Sequence, residues 1–239
     1  MLEIESLSVD FGGIKALDAL TLAVRGGEIV GVVGPNGSGK TTLLDSIHGA
    51  VAPASGTMTF EGASLDRMPM HKRASRGIAR THQTPRLFLR MSVLENVAAG
   101  AYARTESKGT DAAAIRDALT AAGYAGAPAA FARDVTENDR RTIELARALM
   151  SSPRLLLLDE PFAPFDEGQR DALRARLVAF VRDRKAAVLI AERDLAPCAA
   201  VCDRIVVLHA GKKVAEGKPA DLGRDPDVRD AYFGVEWRQ

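Results

Sequence analysis

The chain opens on "LEIESLSVDF", where apolar and polar residues alternate with one slip at Glu5 and Ser6, and this predicts a half-buried strand over 2–11. "ALTLAVRGGEIVGVVG" predicts a strand, a Gly26-Gly27 turn and a fully apolar strand. "SGTMTFEG" predicts a short strand bounded by turn residues, Pro69 to Arg76 a helix, and "GIARTHQ" a strand running into a loop. From residue 92 to about 150 the period becomes helical. Ser92 and Glu95 have capping-box spacing, and an alanine-rich stretch from Asp111 to Ala122 stops at Gly123. Arg104 to Thr110 and Ala125 to Pro128 read as loops. "RDVTENDRRTIELARALM" reads as a helix whose first turn carries Glu137, Asn138 and Asp139. "RLLLLDE", "AAVLIAE" and "RIVVLHAGK" then form apolar runs separated by helical segments, the alternation of a parallel α/β sheet. A helical insert therefore interrupts an α/β core.

At 239 residues the chain is long enough for one large domain or two small ones. Its 32 Lys and Arg balance 31 Asp and Glu, with the two signs interspersed, so no broad electrostatic footprint for nucleic acid or an anionic membrane exists. Cys198 and Cys202 lie four apart in an apparent helix, and without a second Cys/His pair they cannot complete a zinc site; packing is their expected role. No leader pattern and no apolar run near the roughly 20 residues of a membrane span occur, so a soluble, cytoplasmic chain is expected.

Two motifs carry chemistry. "GVVGPNGSGKTTLL" places Gly34, Pro35, Asn36, Gly37, Ser38, Gly39, Lys40, Thr41 and Thr42 between an apolar strand and a helix, the context of a phosphate-binding Walker A loop. Glycines let backbone N–H groups face anionic oxygens, the helix N-terminus adds positive potential, Lys40 reaches phosphate, and Thr41 is suited to Mg²⁺. "RLLLLDEP" ends an apolar strand in Asp159, suited to hold Mg²⁺ through water, and Glu160, suited to polarise an attacking water. Both motifs fall at carboxyl ends of strands, where parallel sheets bind ligands.

With these motifs in place the chain resembles the ATP-binding-cassette (ABC) transporter ATPases along nearly its whole length. The resemblance implies an α/β P-loop NTPase (RecA-like) core with an antiparallel β subdomain and an inserted α-helical subdomain at about 84–150, all in one nucleotide-binding domain spanning 1–239. It implies that Phe11 of "FGGIKAL" stacks on adenine in a loop. It implies that Gln83 of "RTHQTPRLFLRMSVLENV" contacts Mg²⁺ or water, while the segment to Glu95 touches a membrane permease subunit. "APFD" matches the loop that crosses the dimer interface, with Asp166 at its usual aspartate and Pro164 and Phe165 atypical. "RLFLRMSVLENVAAGAY", "RTIELARAL" and "ADLGRDPDVRDAYFG" are most similar to ATPase subunits of branched-chain amino-acid importers, with urea-importer and lipopolysaccharide-exporter ATPases as near relatives. ATP and Mg²⁺ are the implied cofactors, a solute-binding protein is an indirect partner, and the inner face of the cell membrane is the implied location.

Two departures stand out. The signature of the kind Leu-Ser-x-Gly-Gln/Asp, which holds the γ-phosphate of a partner subunit, aligns with Val135, Thr136, Glu137, Asn138 and Asp139. Asn138 replaces its glycine, with a left-handed backbone as the expected accommodation, and Glu137 adds a charge that repels phosphate. In "VLIAERDL", Arg193 stands where the family carries a histidine; arginine grips phosphate but neither accepts a hydrogen bond nor exchanges a proton near neutral pH. A heterodimer with a more regular ATPase subunit damages each composite site once, whereas a homodimer damages both twice. A stand-alone regulatory ABC protein, a nucleic-acid or ribosome-acting cassette protein and a metabolite kinase are the competing classes. The single P-loop and the absence of a basic arm oppose the second, and the glutamine loop and signature-like helix oppose the third.

Overall fold

The computed structural model describes residues 1–103, 111–225 and 227–229; Arg104 to Thr110 and most of the C-terminal tail lie outside them. Strands β1 (Leu2–Phe11) and β2 (Ile14–Val24) pair antiparallel. Only Gly12 and Gly13 join them, with φ of 63° and 93°, the two positive values a type I′ hairpin demands. The segment "FGGIKAL", expected as a loop, is thus a tight hairpin. The alternation slip in β1 is a bulge: Ser6 takes φ 47° and the register shifts between Ile4 and Leu7, which keeps Leu2, Ile4, Leu7 and Val9 all buried. Ala19 (φ 51°) bulges β2 in the same way.

After the Gly26-Gly27 turn comes β3 (Ile29–Val33), every residue buried. Strand β4 (Ser55–Phe60) pairs with the free edge of β1 and leads to β5 (Ala63–Ser64), so one sheet has the order β2-β1-β4-β5. The second sheet adds β6 (Ile78–Arg80), β7 (Leu155–Asp159), β8 (Ala187–Glu192), β9 (Arg204–His209) and β10 (Lys212–Gly217), in the order β10-β9-β3-β8-β7-β6. All its pairs are parallel except β9 with β10.

Among the described residues the α-helices are α1 (Lys40–His48), α2 (Met70–Ser75), α3 (Val93–Ala98), α4 (Ala112–Ala122), α5 (Glu137–Met150), α6 (Glu167–Arg184), α7 (Leu195–Ala199) and α8 (Pro219–Leu222), and a 3-10 turn, Ala99–Ala103, follows α3. Helix α3 starts on the Ser92/Glu95 capping box, α4 on an Asp111 cap with Gly123 (φ 87°) ending it, and α6 on a second box of Asp166 and Gln169. Helix α7 stops at Ala199, so Cys202 follows the apparent helix rather than sitting in it; Cys198 and Cys202 are free, buried and packed near Gly31.

Period 2 along the central strands splits the interior in two. Leu155, Leu157, Val30, Val32, Val206 and Leu208 face a core shared with α1 and the antiparallel sheet. Leu156, Leu158, Val188, Ile190, Ile205 and Val207 face a core built with α3, α4, α5 and α6. Because β3, β8, β7 and β6 are parallel neighbours, the loops that follow them emerge together at one end of the sheet.

Candidate nucleotide-binding site

The loop between β3 and α1 is shaped by what cannot fit in it. A Cβ on Gly34 would lie 2.1 Å from the Leu208 carbonyl oxygen, and one on Gly39 (φ 105°) would lie 2.5 Å from that of Ala16. Gly211 N–H donates to the Ser38 carbonyl at 3.1 Å and so latches the loop to the β9–β10 turn. Helix α1 begins with no side-chain cap and no acidic residue in its first turn, which leaves its N-terminal N–H groups available to an anion. Lys40 Nζ donates to the Gly34 carbonyl (2.7 Å) and the Pro35 carbonyl (3.0 Å) and lies 3.4 Å from Ser38 Oγ. Burial pulls the Lys40 ammonium below its usual pKa, opposed by Glu160, Asp159 and Glu192. Of the rest of the loop, Asn36 and Gly37 are exposed, and Thr41 and Thr42 sit in the first turn of α1.

Strand β7 brings its carboxylates to the same place. Thr41 Oγ1 donates to Asp159 Oδ1 at 3.4 Å, although 118 positions separate them. Burial raises the Asp159 pKa while Arg80 acts against that rise. Glu160 takes φ 47°, its N–H donates to the Ala191 carbonyl at 2.8 Å, and Gln83 Nε2 donates to its Oε2 at 2.9 Å. Positive φ at a residue with a full side chain is strained and persists only where surroundings enforce it. Thus Lys40, Thr41, Gln83, Asp159 and Glu160 converge. Arg193 is exposed at the end of β8, beside this cluster, and contributes to the electrostatic surroundings of Lys40. Phe11 stands apart at the hairpin tip, 52% exposed, so it is not a core residue.

The signature-like segment differs from the loop of α1 in every respect that matters to an anion. Thr136 caps α5: its Oγ1 accepts from Asp139 N–H (3.1 Å) and donates to Asp139 Oδ2 (2.7 Å). Glu137 and Asp139 occupy the first turn, with Arg140 Nη1 at 4.0 Å from Glu137. Asn138 is helical and its carbonyl accepts from Thr142 Oγ1 at 3.0 Å. The expected left-handed backbone is therefore absent there; the Thr136 cap starts the helix one residue earlier, and helical φ suits asparagine without strain.

Three buried residues organise this site without having stood out in the sequence. Glu144 of α5, 1% exposed, accepts from His82 N–H and Arg86 N–H (3.0 Å each), faces His82 Nδ1 (3.0 Å) and pairs with Arg147 (3.3 Å). It anchors both flanks of Gln83 to the signature-like helix. Arg80 pairs with Asp159 and Asp45. Glu192 accepts from Phe162 N–H at 2.9 Å, fixing the turn after Glu160, and burial pushes its pKa up to about 7. Helical spacing marks Glu144 only as an acidic residue within an apolar stripe, and that breach of the pattern was the available signal.

A family model described as "ABC transporter" matches residues 17–163, more than half of the chain. The chain belongs to the ABC transporter ATPases. A second model, "Branched-chain amino acid ATP-binding cassette transporter", matches residues 212–237 of this ABC ATPase. The high-affinity branched-chain amino acid transport ATP-binding protein BraF of Pseudomonas aeruginosa is 31% identical, over 98% of each chain. The lipopolysaccharide export system ATP-binding protein LptB of Haemophilus influenzae is also 31% identical, over 100% of this chain and 99% of its own. Among solved structures, a nucleotide-free ATP-binding cassette from an ABC transporter superposes with a TM-score of 0.88 at 26% identity, covering 98% of this chain and 99% of its own. The α/β P-loop NTPase architecture and the ABC-type ATPase assignment thus stand on sequence and structure together.

Proposed function

We propose that the chain, acting as one nucleotide-binding domain, is the ATP-hydrolysing subunit of a branched-chain amino-acid type importer, attenuated in each of its two half-sites. The observation that carries the ATPase chemistry is the meeting of Lys40, Thr41, Gln83, Asp159 and Glu160 at one end of the central sheet. The likeness of residues 212–237 to the branched-chain family, and of the whole chain to BraF, supports the substrate class. The likeness to LptB supports a lipopolysaccharide-export type system as the second reading.

Lys40 exchanges the Gly34 and Pro35 carbonyls for phosphate oxygens, joined by the uncapped N–H groups at the start of α1, while Phe11 offers an exposed ring to adenine. Glu160 polarises the attacking water, and Gln83 holds the Glu160 carboxylate in orientation. The oxygen donors fit Mg²⁺: Thr41 Oγ1 and Asp159 Oδ1 lie together, and Gln83 stands beside them. Among the described residues no group of three or more His, Cys, Asp or Glu is arranged to hold a metal alone, which suits a cation shared with nucleotide phosphates. Bound there, Mg²⁺ neutralises phosphate charge as a Lewis acid. Arg193 adds a planar cation but no proton acceptor.

Partners follow from the surfaces. Phe88, Leu89, Met91 and Phe131 expose apolar area beside the glutamine segment, and we assign that patch to a permease subunit, with a solute-binding protein acting only through it. Among the described residues no helix is long and apolar enough to cross a membrane, so attachment to the inner face of the cell membrane is peripheral in this reading. Nucleic acid is not a partner. Thr136, Glu137, Asn138 and Asp139 face the ATP of a second, more regular ATPase subunit, and the heterodimer confines each defect to one composite site. The test compares ATP turnover of wild type with the Asn138→Gly/Arg193→His double variant, alone and with co-expressed permease and second-cassette subunits. Faster turnover in the double variant is expected; equal turnover refutes attenuation, and failure to co-purify with any permease refutes the transport reading.

A further inference from the structure

We propose that Arg80 is a positioning residue for metal-dependent nucleotide binding, fixing the Asp159 carboxylate by bridging it to Asp45 on the phosphate-loop helix. The inference rests on the reading that Asp159 serves Mg²⁺. Arg80 ends β6, three positions before Gln83, and its side chain is 2% exposed. One arm of its fork, Nη1, pairs with Asp45 Oδ1 on α1, and the other, Nη2, lies 3.1 Å from Asp159 Oδ2 on β7. A single planar cation thus ties together the strand leading to the glutamine, the phosphate-loop helix and the strand bearing the metal-side carboxylate.

The geometry divides the two oxygens of Asp159. Oδ2 is committed to Arg80, and Oδ1 is turned toward Thr41 Oγ1 at 3.4 Å. With Oδ2 held, rotation of the carboxylate is blocked, and only one oxygen is presented to the metal side. Partners of ligating carboxylates act in this way, orienting the ligand without touching the metal. Positioning and simple counter-charge predict opposite signs. A nearby cation repels Mg²⁺, so if Arg80 contributed charge alone its removal would tighten metal binding. If orientation dominates, removal loosens it. Lysine keeps the charge but lacks the fork needed to span two carboxylates.

The experiment measures affinity of the full chain for a fluorescent ATP analogue in EDTA and across a Mg²⁺ titration, for wild type, Arg80→Gln, Arg80→Lys, Asp45→Asn and Asp159→Asn, with thermal melting of each. Arg80→Gln is expected to cut the Mg²⁺-dependent gain in affinity by about 10-fold, the scale of lost outer-shell partners, while affinity in EDTA stays within about twofold. Arg80→Lys is expected to fall between it and wild type. Asp45→Asn, which cuts the tie to α1 but keeps the Asp159 pair, is expected to lose about threefold and serves as the deciding variant if Arg80→Gln does not fold. An unchanged or larger Mg²⁺ gain in these variants overturns the proposal, as does an equal loss with and without the metal. If Asp159→Asn itself keeps the full Mg²⁺ gain, the assignment of Asp159 has failed, and the inference falls with it for that separate reason.

Discussion

Replacing Glu144 by alanine tests whether the glutamine segment is held by the signature-like helix. The carboxylate is buried at 1% exposure and receives His82 N–H, Arg86 N–H and Arg147 Nη2 at 3.0, 3.0 and 3.3 Å. Hydrogen bonds to a charged group contribute about 1.5–3 kcal/mol each, and an orphaned buried N–H costs about 1–3 kcal/mol. Arg86 is exposed and Arg147 keeps its stack on Phe88 at 5.9 Å, so solvent and packing recover part of the loss. A net destabilisation of about 3–4 kcal/mol follows. In a chain of this length that corresponds to a fall in melting temperature of about 10 °C. Urea denaturation gives the global value, and amide hydrogen exchange at residues 82–86 shows whether the loss is local. ATP turnover should fall with it, because Gln83 loses both of its fixed flanks. A loss below about 1 kcal/mol with unchanged exchange at 82–86 would refute the anchoring role.

Three further outcomes follow from the same structure. Thr136→Ala removes the cap of α5 and is expected to cost about 1 kcal/mol in urea denaturation, with Thr136→Ser close to wild type. Burial, with the Arg80 charge next, holds the His48 pKa down at about 4 against an ordinary 6.5. Its contribution is therefore full above pH 6.5 and lost as pH falls through 4, up to about 3 kcal/mol, and stability measured against pH should be flatter over that window in His48→Gln. Glu192 carries the opposite sign: its folded pKa of about 7 lies above the ordinary 4.5, so its contribution is full below pH 4.5 and lost as pH rises through 7. Glu192→Gln keeps an oxygen for Phe162 N–H and should gain stability relative to wild type at pH 8 more than at pH 4.5; equal differences at both would contradict the burial account.

Local rules carried far in this chain. The phosphate loop, the apolar strand ending in Asp159 and Glu160, and the Ser92/Glu95 box all depend on near neighbours, and each lies in the structure where its spacing places it. The Phe11 hairpin escapes the alternation rule because the Ala19 bulge breaks the period of β2, so the first half of that strand lacks a strand's pattern. Asn138 takes helical rather than left-handed backbone because the Thr136 cap, and not the place of the family's glycine, decides where α5 begins. Arg80 and Glu144 act across 79 and 62 positions of sequence, and no periodicity reports a contact of that separation.

The two interiors on either side of the central sheet also bear on how far a substitution in one is felt in the other. Leu43, Leu44 and Ile47 seat the phosphate-loop helix in one interior, and Ile143, Leu145 and Ala146 seat the signature-like helix in the other. No side chain of one set packs in the cluster of the other, so a substitution that erodes the second helix imposes no volume change on the first. A change within the Thr136 to Asp139 turn therefore leaves the packing beneath the phosphate loop as it was. The sheet is in that sense a partition between two packing problems, each solvable without the other.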